Sequence, residues 1–279
     1  AVTTVFTFPA PYTRIRSNES WDEGSHDGRW VAGLARRDDG SDVIFALDLV
    51  GGVLGAQLPI NTLYSSVCTP DPVYGPVQPD WIGVSPLGRY LVVQWPRDGI
   101  NRCSGLETFD LVTGAWVGRP YDGHQHGDLG VTPDGTGEFF MTFEIYHPSG
   151  LLSVGRRDLP GTATVSPPEY LGLMSWFGAH ISCQGPRGSC LVTTDGAPGN
   201  GWDAREGELF LQHHDGRVER LVHHRSSGCG YWVQPRASIS ADGRYVIFAS
   251  DWGLPSGTNG CGTIAFGAGE TYIVDRGLP

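Results

Sequence analysis

One phrase, written four times, constrains the fold more than anything else in the chain. It reads Asp27-Gly28-Arg29-Trp30, Leu87-Gly88-Arg89-Tyr90, Pro133-Asp134-Gly135 and Asp242-Gly243-Arg244-Tyr245, each time leading into an apolar run. A degraded fifth copy lies around Gln184 to Gly188. The marker glycines Gly28, Gly88, Gly135, Gly188 and Gly243 are separated by 60, 47, 53 and 55 residues, a period of about fifty that suits four-stranded propeller blades. Each phrase sits between two strand-like runs, for example residues 237–240 before and 245–249 after the last one. Asp-Gly therefore supplies a hairpin turn. Two more runs follow in each repeat, such as 43–49 with 53–58 and 208–212 with 218–222.

The expected architecture is all-β: one domain over residues 1–279, a five-bladed β-propeller of four-stranded antiparallel blades. The last repeat shows three strands, ending at Thr271-Tyr272-Ile273-Val274, and the run at residues 2–8 has no repeat of its own. Supplying that run as the missing strand closes the propeller and removes an exposed edge. The 41 glycines and 20 prolines fall between apolar runs as turn punctuation. Antiparallel order sends the Asp-Gly turns to one face and the long connections to the other, where binding or chemistry is expected. These connections are residues 60–79, 96–104, 119–127, 146–150, 195–207, 224–234 and 252–269.

A net charge of −11 leaves no large basic surface for nucleic acid. The chain has no lysine, so all 19 of its fixed side-chain cations are arginines, which excludes Schiff-base and lysine-base mechanisms. No apolar run is long enough to span a bilayer. The opening Ala1-Val2-Thr3-Thr4 lacks signal-peptide character and is expected to be a mature terminus. Six cysteines fit no close-paired zinc spacing, so disulfides and a secreted or periplasmic monomer are expected. Cys68 with Cys103 staples the two loops flanking the second blade's first hairpin, Cys229 with Cys261 repeats that staple in the fifth, and Cys183 pairs with Cys190 across the degraded turn.

The densest polar cluster, Tyr121-Asp122-Gly123-His124-Gln125-His126-Gly127-Asp128, enters the third blade's first strand, and Gly178-Ala179-His180 enters the fourth in the same way. His126, Asp128 and His180 thus converge from adjacent blades, with donors suited to a divalent cation or to proton transfer. The competing reading has them bonding backbone groups and water. Gln234-Pro235-Arg236 enters the fifth blade at the matching place, just after Tyr231-Trp232. Arg236 offers a planar fork for a carboxylate, or else a structural ion pair, and Tyr231 offers a phenol as acid or base. Trp95, Trp202, Trp232 and Trp252 lie in or beside long loops, where aromatic faces suit sugar rings. Trp21, Trp30 and Trp81 look like core. His213-His214 and His223-His224 read as solvated outer-strand residues. Neither Gly-x-Ser-x-Gly nor a phosphate loop occurs, and no nucleotide or organic cofactor is expected.

The run from Ile239 to Asp251, with its Asp242-Gly243 turn and closing Ser250-Asp251, resembles the repeat of TolB-like propellers. Within that group the oligogalacturonate lyases are the most instructive relatives. They are propellers that hold a divalent metal with histidines and a glutamine and cleave uronate polymers by β-elimination. The resemblance implies His126 and His180 as ligands, with Gln125, Gln184 or Gln234 as the amide; the set His126, His180, Gln234 is the expectation carried forward. The ion would be Ca, Mn or Zn. The chain departs from the family in having five repeats where those lyases have seven blades, and in placing Arg236 where a histidine would complete the cluster.

The expected function is a carbohydrate-active propeller, a lyase on an acidic poly- or oligosaccharide. Arg236 would neutralise the uronate carboxylate, His126 or His180 would take the adjacent proton, and Tyr231 would protonate the leaving oxygen. Trp95, Trp202, Trp232, Trp252 and Asp128 would bind substrate. One alternative is a non-catalytic glycan- or protein-binding propeller. Another is a glycoside hydrolase using Asp22, Asp80 and Glu144.

Overall fold

The five marker glycines all adopt left-handed backbone, with φ between 68° and 75°, a region open to glycine at no steric cost. In four of the turns the residue three positions before the glycine is Ser or Thr. Ser25, Ser85, Thr132 and Ser240 each accept the marker glycine's N–H on their carbonyl, at 2.7–2.8 Å. Their hydroxyls accept a second N–H, five residues on, at 2.8–3.0 Å. The degraded copy has Gly185 at that position and no hydroxyl. There Gly188 donates instead to Val131 O at 2.8 Å, and the Cys183–Cys190 disulfide brackets the turn.

The computed structural model describes residues 4, 6–16, 24–145, 147–150, 152–174, 178–194, 205–226, 234–252 and 270–278. Those residues form five antiparallel sheets and one short helix, α1 (Ile60–Ser66). No helix among them is long and apolar enough to cross a membrane. The chain falls into two compact units, residues 1–124 with 157–167, and residues 125–156 with 168–279.

In the first unit, β1 (Tyr12–Arg16), β2 (Trp30–Arg37), β3 (Asp42–Asp48) and β4 (Val53–Pro59) form one sheet in chain order. A second sheet takes β5 (Trp81–Val84), β6 (Tyr90–Gln94), β7 (Leu106–Asp110) and β8 (Trp116–Tyr121). Ala32, Leu34, Ile44 and Ala46 pack with Ile82, Val84, Leu91 and Val93 between the sheets. Ala35, Phe45 and Leu47 point to the other face, where Phe6, Phe8 and Tyr12 cover them. The expected use of residues 2–8 as the last sheet's fourth strand is thus not what the described residues do. Phe6 and Phe8, two apart and on one side, stack edge-on against each other, and Phe8 against Phe45 at 5.0 Å, burying aromatic area that an outermost strand would leave wet. Cys68 and Cys103 are joined as expected.

The second unit holds three sheets, except for Arg157 and Asp158 at the end of β11. One contains β9 (Gly127–Val131), β10 (Glu138–Glu144), β11 (Leu152–Asp158) and β12 (Glu169–Met174). The next contains β13 (Gly178–Ser182), β14 (Ser189–Thr194), β15 (Glu208–His213) and β16 (Val218–His223). The last has three described strands, β17 (Ser238–Ile239), β18 (Tyr245–Ser250) and β19 (Glu270–Asp275). Alternation along β14 and β15 decides which neighbour each residue meets. Cys190, Val192 and Phe210 join Phe139, Met141 and Val154 on one side. Leu191, Leu209 and Leu211 join Ile239, Val246 and Phe248 on the other. Each such side chain, fully buried, contributes about 1.5–3 kcal/mol.

His224 corrects the expectation of solvated histidines, because it is only 1% exposed. Its Nε2 donates to Thr194 O at 2.6 Å and its Nδ1 accepts the Ser226 N–H at 2.9 Å, so both ring nitrogens are satisfied in the neutral form. Burial lowers its pKa to about 4, against the smaller upward pull of that bond to Thr194. The folded-state pKa lies below the unfolded value, so this stability is present above pH 6.5 and is lost as pH falls towards 4. The loss expected over that window is roughly 3 kcal/mol. Urea unfolding at pH 7 and pH 4.5 checks it: His224→Gln, which cannot titrate, should show a clearly flatter dependence, and an unchanged slope would contradict the assignment.

Candidate functional site

Three segments bring polar side chains together at the ends of β9, β13 and β17. His126 immediately precedes β9, and its backbone carbonyl accepts the buried Thr142 hydroxyl at 2.8 Å, fixing the residue against β10. His180 lies on β13, paired with Thr193 just past a register shift. Gln234 and Arg236 lie just before β17, with the Arg236 N–H bonded to Gln234 O at 2.8 Å.

The two imidazoles meet edge-to-face with ring centroids 4.8 Å apart, and His180 Nε2 lies 3.3 Å from Gln234 Oε1. Burial is the main cause that brings the His180 pKa down to about 4, joined by the charges of His126 and Arg236 and opposed by the bond to Gln234. At neutral pH His180 is therefore an uncharged imidazole. His126 and Arg236 are exposed, whereas His180 and Gln234 are half-buried. The group thus runs from a half-buried, neutral imidazole to a solvent-facing imidazole and guanidinium. Among the described residues no three His, Cys, Asp or Glu side chains converge as a metal cluster.

The carboxylate of Asp128 is buried, accepting the Cys183 N–H at 2.5 Å and the Leu129 N–H at 2.6 Å. It ties β9 to the end of β13, two residues from His126 and three from His180, which makes it a positioning residue in place of the expected substrate contact. Trp95 is likewise corrected. It is 0% exposed, in the first unit, and its indole N–H donates to Glu107 Oε2 at 2.9 Å. Trp30 and Trp81 join the core of that unit as expected. Trp252 is 52% exposed. Tyr231, Trp202, Trp232, Cys229, Cys261, Trp21 and Asp22 lie outside the described residues. Of the other candidate carboxylates, Asp80 is exposed and Glu144 is buried.

No family model matches the chain, and no curated protein matches it. Among solved structures, an oligogalacturonate lyase in complex with manganese is similar at a TM-score of 0.52 and 12% identity, over 89% of this chain and 65% of the lyase. A prolyl endopeptidase matches at 0.50 and 12% identity, over 95% of this chain and 34% of the other. TolB from Acinetobacter baumannii matches at 0.44 and 16% identity, over 81% of this chain and 47% of TolB. The chain thus spans just under two thirds of the lyase and about one third of the endopeptidase. At these identities the likeness to the lyase and the endopeptidase shows the fold, which is that of the β-propellers.

Proposed function

We propose that this chain is a secreted lyase that cleaves a uronate-containing polysaccharide by β-elimination, on a five-bladed propeller. The observation that carries the reading is the meeting of His126, His180 and Gln234 beside Arg236. That the lyase with a similar fold was solved with manganese adds support.

Arg236 is the group for the uronate carboxylate. Pairing with its guanidinium stabilises the negative charge that builds up when the neighbouring C5–H is broken. His126 takes that proton, for a chemical reason. A base whose conjugate acid has a pKa near 4 accepts protons poorly, which disqualifies His180. The C–H electron pair forms the C4=C5 double bond, the C4–O bond breaks, and the departing oxygen acquires a proton. Tyr231 is the nearest phenol in sequence for that last transfer.

His180 has the complementary role. Held neutral, it keeps a lone pair available at physiological pH, and with Gln234 it makes a donor pair that fits a divalent ion, leaving the one lone pair of the His126 imidazole for the proton. An imidazole and an amide suit Mn or Zn better than Ca. When bound, such an ion would polarise the substrate carboxylate as a Lewis acid. Incubation with pectate, alginate and glucuronan, with and without Mn or Zn, should produce the ultraviolet absorbance of an unsaturated uronate on at least one polymer. No signal on any of them would count against the lyase.

A further inference from the structure

A rigid aromatic stack rises from the core of the last sheet to the surface. Phe248, buried on β18, stacks on Tyr272 of β19 at 5.5 Å and 24°, and Tyr272 stacks on Trp252 at 5.1 Å and 29°. The indole at the top is 52% exposed. Holding so large an apolar ring in water calls for an explanation, and its backbone sharpens the question. Trp252 has φ 54° and Arg225, beside it, φ 55°. Left-handed backbone in residues other than glycine costs about 1–3 kcal/mol each and persists only where the surroundings impose it.

The surroundings here do impose it. The Trp252 N–H is bonded to the buried Ser250 hydroxyl at 2.9 Å. Arg225 stands between His224 and Ser226, which are linked to each other by the bond to His224 Nδ1, and His224 is anchored in turn on Thr194. The guanidinium is held 5.9 Å from the indole, at the outer limit of a cation–π contact. It remains exposed and able to pair with an anion. Glu270 on β19 is engaged by the Tyr272 hydroxyl at 3.1 Å, and Asp251, next to Trp252 in the chain, is buried.

We infer that Trp252 and Arg225 form a stacking subsite for an acidic sugar, the indole packing against the C–H face of the pyranose while the guanidinium takes its carboxylate. β17 and β18 are antiparallel, so the residues after β18 and those before β17 occur at the same end of the sheet. Trp252 therefore shares that end with Gln234 and Arg236. The uronate specificity of this subsite rests on the lyase reading, and it adds a binding position away from the reacting bond.

The test is affinity electrophoresis through gels containing polygalacturonate or neutral galactan, run with the intact chain, beside lyase kinetics. Trp252→Ala should weaken retardation by polygalacturonate roughly tenfold and raise KM by a similar factor with kcat unchanged. Trp252→Phe should restore most of it. Arg225→Gln, a surface change that leaves the aromatic stack intact, should lose the preference for the acidic over the neutral polymer. Equal retardation of wild type, Trp252→Ala and Arg225→Gln overturns the subsite, even if the chain proves to be a lyase. Trp252-dependent retardation with no lyase activity supports the subsite and removes the catalytic reading.

Discussion

Replacing His126 by alanine is expected to lower kcat on a polyuronate by about 10²–10⁴-fold, the usual contribution of a positioned general base, while polymer binding stays within about twofold of wild type. The expectation follows from the division between the two imidazoles. His126 is exposed, its carbonyl is pinned by Thr142, and its ring abuts that of His180. Removing the His126 ring takes away the proton acceptor and leaves Arg236, Trp252 and Arg225 to hold the chain of sugars. A His126→Ala protein that keeps more than about a third of wild-type kcat would require another base. His180→Gln tests the other half of the division. It should lower the affinity for Mn or Zn, read by isothermal titration without any substrate present.

The second large effect lies in the first unit and concerns stability. Glu107 is 0% exposed and its carboxylate is the centre of a four-partner network. Oε1 accepts from Arg102 at 2.6 Å and from Arg119 at 2.9 Å; Oε2 accepts from the Trp95 indole at 2.9 Å and the Cys103 N–H at 3.1 Å. Arg119 also donates to Ile100 O and Asn101 O, so one carboxylate holds together the loop that carries half of the Cys68–Cys103 bridge. Glu107→Ala strands a buried guanidinium, an indole N–H and a peptide N–H at once, and is expected to cost about 3–5 kcal/mol. That is a large share of the 5–15 kcal/mol typical of a folded domain. Urea unfolding measures it directly. A loss below about 1 kcal/mol would mean that Arg102 and Arg119 find water or other partners easily.

Both predictions rest on features of unequal visibility in the sequence. The five turns are legible because left-handed backbone demands glycine at a fixed place, and even the copy without Asp or Ser keeps Gly188. Cys183 and Cys190 are legible as a pair because they flank that turn at equal distance from it. His126, His180, Gln234 and Arg236 can be grouped from sequence because each enters the first strand of its sheet, and strand order alone then brings them to one end.

Local environment is what the sequence does not carry. Trp95 follows an apolar strand and precedes a loop, and nothing nearby reveals that a buried carboxylate twelve residues on will satisfy its indole. Asp128 reads as a ligand beside His126, but its oxygens are turned to the peptide N–H groups of Leu129 and Cys183, and the latter is 55 residues away. His224 follows the last residue of an edge strand, where exposure is the natural expectation; the Thr194 carbonyl and the Ser226 N–H that make its burial tolerable are set by chain folding. Arg225 carried no signal at all until its backbone placed it beside Trp252.

The mass of the products decides whether the bond is broken by elimination. When a uronate oligosaccharide of defined length is cut, the masses of the two fragments should add up to that of the substrate, one fragment carrying the new double bond. Fragments that together weigh one water more would make the protein a hydrolase. An uncut oligosaccharide that is nevertheless bound would make it a binding module, and either result would exclude the lyase.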